Sequence, residues 1–221
     1  MPTSDPHNIS PILSVMRGLE PKRILDVGCG FGKYGVLLRE YFDIWQERLD
    51  PAQWQLHLEG IEAFERYHNP IHDYVYNKVH FGEAQGVVGG LGKFDVVLIA
   101  DVIEHLEEAE AVALTRDCLA HAPVLIVSTP REFYPQGDLC DNQYEVHRNT
   151  FTRAHFPPGA HVRTIRVMSC DIFVASVEPL RPAVFELTEP ADFIYLWSRR
   201  RLGKAGLPIS VGLRKLCRWL G

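Results

Sequence analysis

The sequence of 221 residues has no run of about 18 apolar residues, so it predicts no membrane-spanning helix. It also has no internal repeat and no low-complexity tract. Its five cysteines form no C-x-x-C pair and are odd in number, which argues against a disulfide framework. The first residues lack the pattern of a secretory signal, so reduced thiols and a cytoplasmic location are expected. What remains is the composition of an ordinary globular domain, with 46% hydrophobic and 23% charged residues.

The charge of the chain is unevenly distributed. A net charge of −5 argues against a protein that coats nucleic acid with its whole surface. The segment 196–221 nevertheless has seven basic residues and no acidic one: Arg199, Arg200, Arg201, Lys204, Arg214, Lys215 and Arg218. The sequence therefore predicts an acidic body followed by a basic extension with a separate role.

Short apolar runs alternate with segments of helical periodicity, which predicts an α/β domain over residues 1–178. Helices are expected at 10–20, 34–45 and 107–121, and strands at 22–27, 55–62, 79–81, 94–100, 124–128, 162–167 and 171–177. This order predicts a doubly wound, mostly parallel sheet of seven strands with helices on both faces. The last two strands are too close for a crossover helix, so an antiparallel edge strand is expected. Residues 129–151, here named the lid segment, are predicted to cover a substrate, and 179–221 form the basic extension.

A glycine loop is the strongest local signal. Three alternating glycines, Gly28, Gly30 and Gly32, follow a predicted strand and precede a helix, which lets a ligand approach bare backbone. The spacing is G-x-G-x-G, not the G-x-G-x-x-G of dinucleotide-binding folds. Asp26 just before the loop would repel a pyrophosphate and would favour the cationic amino group of a sulfonium amino-acid cofactor. A tight turn that binds no ligand is the alternative.

With this loop and the segments that follow it, the sequence over 20–178 resembles the class I S-adenosylmethionine-dependent methyltransferases, which have a Rossmann-like fold. The resemblance implies S-adenosylmethionine as cofactor and S-adenosylhomocysteine as product. It implies that the loop wraps the methionine part of the cofactor and that an acidic residue after the second strand holds the ribose hydroxyls. The cofactor-binding residues it implies are Asp26, Gly28, Cys29, Gly30, Gly32, Glu62 (with Glu59 as the lesser candidate), Glu83 near the adenine, and Ala100 and Asp101 near the sulfonium.

Two histidines are the candidate catalytic residues, because a hydroxyl acceptor needs a base to remove its proton. His105 follows the fourth motif of the family, and His147 lies in the lid segment before an aromatic-Thr element that resembles the family. Each has a structural alternative. His105 would then be bonded to backbone at a helix start, and His147 would pin the lid segment.

A divalent metal site is a further alternative. Asp101, Glu104 and His105 have the i, i+3, i+4 spacing that places them on one face of a helical turn, and His147 could complete the set. The pattern resembles the small-RNA terminal 2′-O-methyltransferases, which use Glu-x-x-Glu-His and a distant His as metal ligands. Glu-His after the fourth strand also occurs in methyltransferases without a metal, so we predict no metal ligand.

The sequence thus predicts a methyltransferase that acts on an oxygen or nitrogen of a small-molecule or glycan/lipid-type acceptor. Metal-assisted 2′-O-methylation of RNA and a non-catalytic module that binds S-adenosylmethionine are the alternatives. Residues 211–220 can form a short amphipathic helix. The basic extension could lie on a membrane surface, dock on a partner protein or, less favoured, bind RNA. The fourth option is a helix packed on its own domain.

Deletion of residues 199–221 is expected to leave cofactor affinity unchanged, because the motifs that imply cofactor binding all lie before residue 178. Calorimetric titration of the full chain and the truncated chain with S-adenosylhomocysteine measures this directly. A clear loss of affinity in the truncated chain would show that the extension is part of the core.

Overall fold

The computed structural model describes residues 3–139 and 141–185 of the chain. Its seven strands are β1 Arg23–Val27, β2 His57–Glu62, β3 Lys78–Phe81, β4 Val96–Ala100, β5 Val124–Pro130, β6 His161–Arg166 and β7 Cys170–Ser176. The helices are α1 Ile9–Leu19, α2 Lys33–Phe42, α3 Pro70–Val75, α4 Ala84–Val87 and α5 Glu108–His121. Each strand predicted from an apolar run is present, and β4 is buried along its full length, as a central parallel strand should be.

The strands form one sheet in the order β3-β2-β1-β4-β5-β7-β6. Strands β1 to β5 are parallel to one another, whereas β7 is antiparallel to both β5 and β6. The predicted closing hairpin is confirmed, and the amide of Val167 donates to the carbonyl of Cys170 at its turn. The antiparallel strand lies one position inside the edge, because the hairpin inserts β7 between β5 and β6.

Two hydrophobic cores cover the two faces of the sheet. Successive strand residues point to opposite faces, so Ile24 packs with α1 and α2 whereas Leu25 packs with α5. The first core includes Ile12 and Leu38, and the second includes Leu114. The doubly wound arrangement predicted from the sequence is therefore confirmed.

The folded domain continues past the predicted boundary at residue 178. A short 3-10 turn, Pro182–Phe185, packs against α1 and buries Val184 and Phe185. At Gly18 of α1 a Cβ atom would lie 2.6 Å from the carbonyl oxygen of Val184, so this contact requires glycine. The rest of the basic extension, including the predicted amphipathic helix at 211–220, lies outside the described residues. Over residues 3–139 and 141–185, no helix has both the length and the apolar character that crossing a bilayer requires.

Candidate active site

Three adjoining cavities lie at the carboxyl ends of the parallel strands, where ligands of open α/β sheets bind. The glycine-loop cavity, about 130 Å³, lies over the loop after β1, and the Glu83 cavity, about 320 Å³, lies beside the start of α4. The His147 cavity, about 640 Å³, lies under the lid segment. His105 lines all three, so this residue marks the point where they meet.

The glycine loop has the backbone that its sequence requires. Gly28, Gly30 and Gly32 all have positive φ, which favours glycine. At Gly28 a Cβ would lie 2.3 Å from a methyl carbon of Val102, so the loop can approach the turn after β4 only without a side chain. At Gly30 a Cβ would meet nothing within 4 Å, and this residue lines the glycine-loop cavity. The loop therefore presents bare backbone to a ligand, as predicted.

Glu62 is placed at the cavity by hydrogen bonds from two backbone amides. The amide of Gly30 donates to Oε2 at 2.8 Å, and that of Phe64 donates to Oε1 at 2.8 Å. Burial raises the pKa of Glu62, while these two bonds oppose the rise. Glu59, the lesser candidate, lines none of the three cavities and instead accepts hydrogen bonds from His57 and His80. The geometry thus favours Glu62 as the acidic residue of the second strand.

The carboxylate of Asp26 lies below the loop and lines none of the three cavities. It accepts a hydrogen bond of 2.6 Å from the hydroxyl of Tyr76, and burial raises its pKa to about 7. Asp26 is only 1% exposed, so the structure shows it as a buried acceptor for Tyr76. Its contact with a cationic amino group stays a prediction.

The other predicted cofactor residues line the cavities, except Gly32, which lines none of the three. Ala100, Asp101 and Cys29 line the glycine-loop cavity, and burial raises the pKa of the Cys29 thiol far above its usual range, which makes this thiol a poor nucleophile. Glu83 lines the cavity named after it and accepts a hydrogen bond of 3.3 Å from the hydroxyl of Tyr144 in the lid segment. The lid segment therefore lines all three cavities.

The N-terminal segment covers the site, which the sequence did not reveal. Asp101 has a left-handed backbone (φ 54°) directly after β4, and its carboxylate accepts bonds from the amide of Asp5 at 2.7 Å and the side-chain amide of Asn8 at 3.1 Å. Ser128 of β5 donates to the same carboxylate at 2.8 Å. Lys33 donates to the carbonyl and hydroxyl oxygens of Ser4. Residues 3–6 thereby form one wall of the His147 cavity, and Thr3 and Ser4 also line the glycine-loop cavity.

His105 and His147 are brought together by the lid segment, with ring centroids 4.8 Å apart. Nδ1 of His105 lies 3.3 Å from the carbonyl oxygen of Val146, and Nδ1 of His147 lies 3.1 Å from that of Tyr134. A carbonyl only accepts, so each Nδ1 carries the proton and each Nε2 presents a lone pair. The two predicted catalytic residues therefore share one site, and a backbone carbonyl orients each ring.

Glu104 lies beside the two histidines, and one ligand atom from each of these three residues lies within 4.8 Å of the others. Among the described residues, no other cluster of this kind meets the geometry of a metal site. Asp101, the fourth residue of the metal alternative, is not part of the cluster, because its carboxylate is turned to Asn8 and Ser128.

Burial favours the neutral form of each member of this cluster. It raises the pKa of Glu104 well above its ordinary value and lowers the pKa of His147. Burial together with the neighbouring His147 ring lowers the pKa of His105 to about 4. Both imidazoles are thus neutral near pH 7 and able to accept a proton.

A cleft of about 670 Å³ at the opposite, amino end of the sheet is larger than each of these three cavities. It is lined by α1, α2 and the segments before β1 and β2, among them Arg17, Lys22 and Arg48. None of the predicted site residues lines it. Size alone therefore does not identify the functional site, whereas the clustered polar groups at the carboxyl end do.

Comparison with known proteins agrees with this geometry. The family model described as "Methyltransferase domain" matches residues 6–165. The fold is similar to that of the N-terminal domain of EvdMO1 crystallised with SAH bound (TM-score 0.56, 17% identity, 79% of this chain and 81% of that one). It is also similar to CalS10, an amino pentose methyltransferase from Micromonospora echinaspora (0.53, 19%, 78% and 91%), and to the methyltransferase domain of bacterial CtHen1 (0.51, 16%, 77% and 97%). No curated protein matches the chain in sequence.

The contact between Asn8 and Asp101 yields a test of the N-terminal wall. Asn8→Asp replaces the buried donor by a carboxylate of the same shape, and we expect the free energy of unfolding in urea to fall by about 2–5 kcal/mol. The favourable effect of an acidic residue at the start of α1 is at most about 1 kcal/mol at such a site, so the repulsion dominates.

The exchanged double variant Asn8→Asp/Asp101→Asn is the control, because it restores one donor and one acceptor at this contact. Hydrogen exchange at the amide of Asp5 should accelerate in the single variant and slow again in the double variant. Equal stability of the wild type and Asn8→Asp would contradict the contact.

Proposed function

The chain belongs to the methyltransferase-domain family, and from that premise we propose that it transfers the methyl group of S-adenosylmethionine to an oxygen or nitrogen of a small-molecule or glycan-type acceptor. The observation that carries the proposal is the position of His105, which lines the glycine-loop, Glu83 and His147 cavities at once. The histidine pair thus lies where a cofactor in the first two cavities would meet an acceptor in the third.

The residues present fit the proposed cofactor. The glycine-loop cavity offers bare backbone at Gly30, the carboxylate of Glu62 for ribose hydroxyls, and the aromatic rings of Phe31 and Tyr67, whose faces attract cations. The adjoining Glu83 cavity has the apolar side chains of Ile61 and Leu114 among its walls, which suits a purine ring. When bound, S-adenosylmethionine supplies a methyl group on a cationic sulfur, so little covalent assistance is needed from the protein.

The protein's own task is therefore to align the acceptor, exclude water and take its proton. His147 is the better-placed base, because of the three cavities it lines only the one assigned to the acceptor, whereas His105 also lines the two assigned to the cofactor. Its Nε2 can accept the proton of an acceptor hydroxyl, while the carbonyl of Tyr134 fixes the ring and its tautomer. His105 forms the wall between the cavities and orients both ligands.

The charge of the His147 cavity favours a neutral or cationic acceptor over a polyanion. Carboxyl groups from Asp5, Asp101 and Glu132 line it, beside Glu104, whose neutral form is favoured by burial. Its one Lys or Arg side chain among the described residues, Arg131, donates to Asp171 and to two backbone carbonyls. Recognition of an RNA backbone needs basic groups free to contact phosphates. A hydroxylated or amino-bearing small molecule therefore fits this cavity better than RNA.

We expect His147→Ala to lower kcat by about 10²- to 10⁴-fold with a hydroxyl acceptor and to leave the affinity for S-adenosylhomocysteine within about twofold, because His147 does not line the glycine-loop cavity. Transfer from methyl-labelled S-adenosylmethionine to panels of amino sugars, hydroxylated metabolites and RNA, with parallel calorimetry, measures both quantities.

His161→Ala, at an exposed position of β6, is the matched control and should match the wild type. Unchanged kcat in His147→Ala would show that His147 is not the base that takes the proton of the acceptor. Tight cofactor binding by the wild type with no transfer to any panel would instead favour a non-catalytic binding module.

A second candidate, metal-assisted methylation, is favoured by the cluster of Glu104, His105 and His147. The carbonyls that fix both Nδ1 protons are of the kind that orient metal-ligating imidazoles. Two observations argue against it. Glu104 is buried and its pKa is raised. Asp101 is hydrogen-bonded to Ser128, so only three ligand residues remain, and Glu104 is the one carboxylate among them.

We expect protein depleted of metal by chelation to keep its transferase activity, with elemental analysis confirming less than about 0.05 metal per chain. Calorimetric titration of the same sample with Mn²⁺ and Zn²⁺ gives an independent measure of binding. Loss of activity on chelation, its recovery on addition of a divalent ion, and binding abolished in Glu104→Gln would establish the metal candidate in place of the first.

A further inference from the structure

Glu145 is a buried carboxylate that the lid segment delivers into the glycine-loop cavity. It ends the 3-10 turn Gln143–Glu145, whose first residues are fixed by the side chain of Asn142, which accepts from the amide of Tyr144. Its own carbonyl accepts a hydrogen bond of 2.7 Å from the side chain of Gln136. The backbone around Glu145 is thus fixed, and the residue as a whole is only 8% exposed.

One of the two carboxylate oxygens of Glu145 has a partner and the other does not. The hydroxyl of Tyr67 donates to Oε1 at 3.1 Å. Oε2 is buried and receives no hydrogen bond from any of the described residues. Buried polar atoms of native proteins are nearly always satisfied, because an unsatisfied one is costly. A donor from a ligand in the glycine-loop cavity is the natural partner for this oxygen.

The position of Glu145 beside Glu62 indicates which kind of ligand group could be that donor. It faces the end of β2, because its partner Tyr67 follows Glu62 by five residues, and the charges of Glu62 and Glu145 are close enough to affect each other. Both carboxylates line a cavity of about 130 Å³. Two acceptor groups at one wall match a ligand with two adjacent hydroxyl donors.

We propose that Glu145 accepts, through Oε2, a hydrogen bond from a ribose hydroxyl of the cofactor, as a second carboxylate beside Glu62. This inference rests on the proposed function, since it takes the nucleoside of S-adenosylmethionine as the ligand. It makes the lid segment a part of the cofactor site, so that one segment contributes to the binding of both substrates.

The test is calorimetric binding of S-adenosylhomocysteine and of 5′-methylthioadenosine, which keeps the ribose but lacks the amino acid. Glu145→Ala should weaken both ligands by about the same factor, on the order of 10-fold or more, as expected for a hydrogen bond to a charged group. Replacement of the ribose by its 2′-deoxy and 3′-deoxy forms should weaken binding to the wild type. The form that lacks the hydroxyl bound by Glu145 should bind Glu145→Ala and the wild type with the same affinity.

Asp138→Ala is the matched control, because it removes an exposed carboxylate of the same segment that lines none of the three cavities. Glu145→Gln keeps the volume and checks that a loss in the alanine variant does not come from collapse of the turn. Weaker S-adenosylhomocysteine with unchanged methylthioadenosine would overturn the proposal, because Glu145 would then contact the amino-acid end. Unchanged affinity for both would also overturn it. If the wild type binds neither ligand, the proposed function fails as well, and that result is distinct from the other two.

Discussion

The hydrogen bonding of one carboxylate, Asp101, holds the site together. It follows β4 in a left-handed conformation that places its side chain between the glycine-loop and His147 cavities. A carboxylate that is largely removed from water needs donors, and the chain supplies them from Asp5, Asn8 and Ser128. The consequence reaches beyond the residue itself, because these bonds draw the first described residues of the chain across the sheet and close one side of both cavities.

The turn after β4 holds the lid segment in a similar way, through its backbone. The carbonyl of Glu104 accepts from the amides of Arg148 and Asn149, and the Asn149 side chain donates to the carbonyls of Ile103 and Leu106. These bonds satisfy polar groups that burial would otherwise leave unpaired. They also fix where the lid segment passes over the turn, and this is what brings His147 beside His105.

The sequence predicted features that depend on neighbouring residues, but it did not predict contacts between residues that are distant along the chain. Apolar runs and glycine spacing predicted the seven strands and the loop, because each depends on neighbouring residues, whereas Glu62 was implied by the resemblance to the family. The support of Asp26 by Tyr76, 50 residues away, and the bond from Asn8 to Asp101, 93 residues away, have no periodic signature. The residues around Glu145 in the sequence are mostly polar, and they likewise gave no sign that the fold buries it. The position of β7 inside the edge follows from which strand of a hairpin meets β5, which neither strand encodes alone.

Three consecutive residues of the lid segment connect the two halves of the proposed reaction. Glu145 lines the cavity assigned to the cofactor, the carbonyl of Val146 fixes the proton of His105, and His147 lines the cavity assigned to the acceptor. Because these residues are adjacent and their backbone is tied to the turn after β4, the cofactor contact, the tautomer of one histidine and the position of the other are set by one short piece of chain. Displacement of this piece would alter all three together, so the separation between methyl donor and acceptor depends on the lid segment as much as on the sheet beneath it.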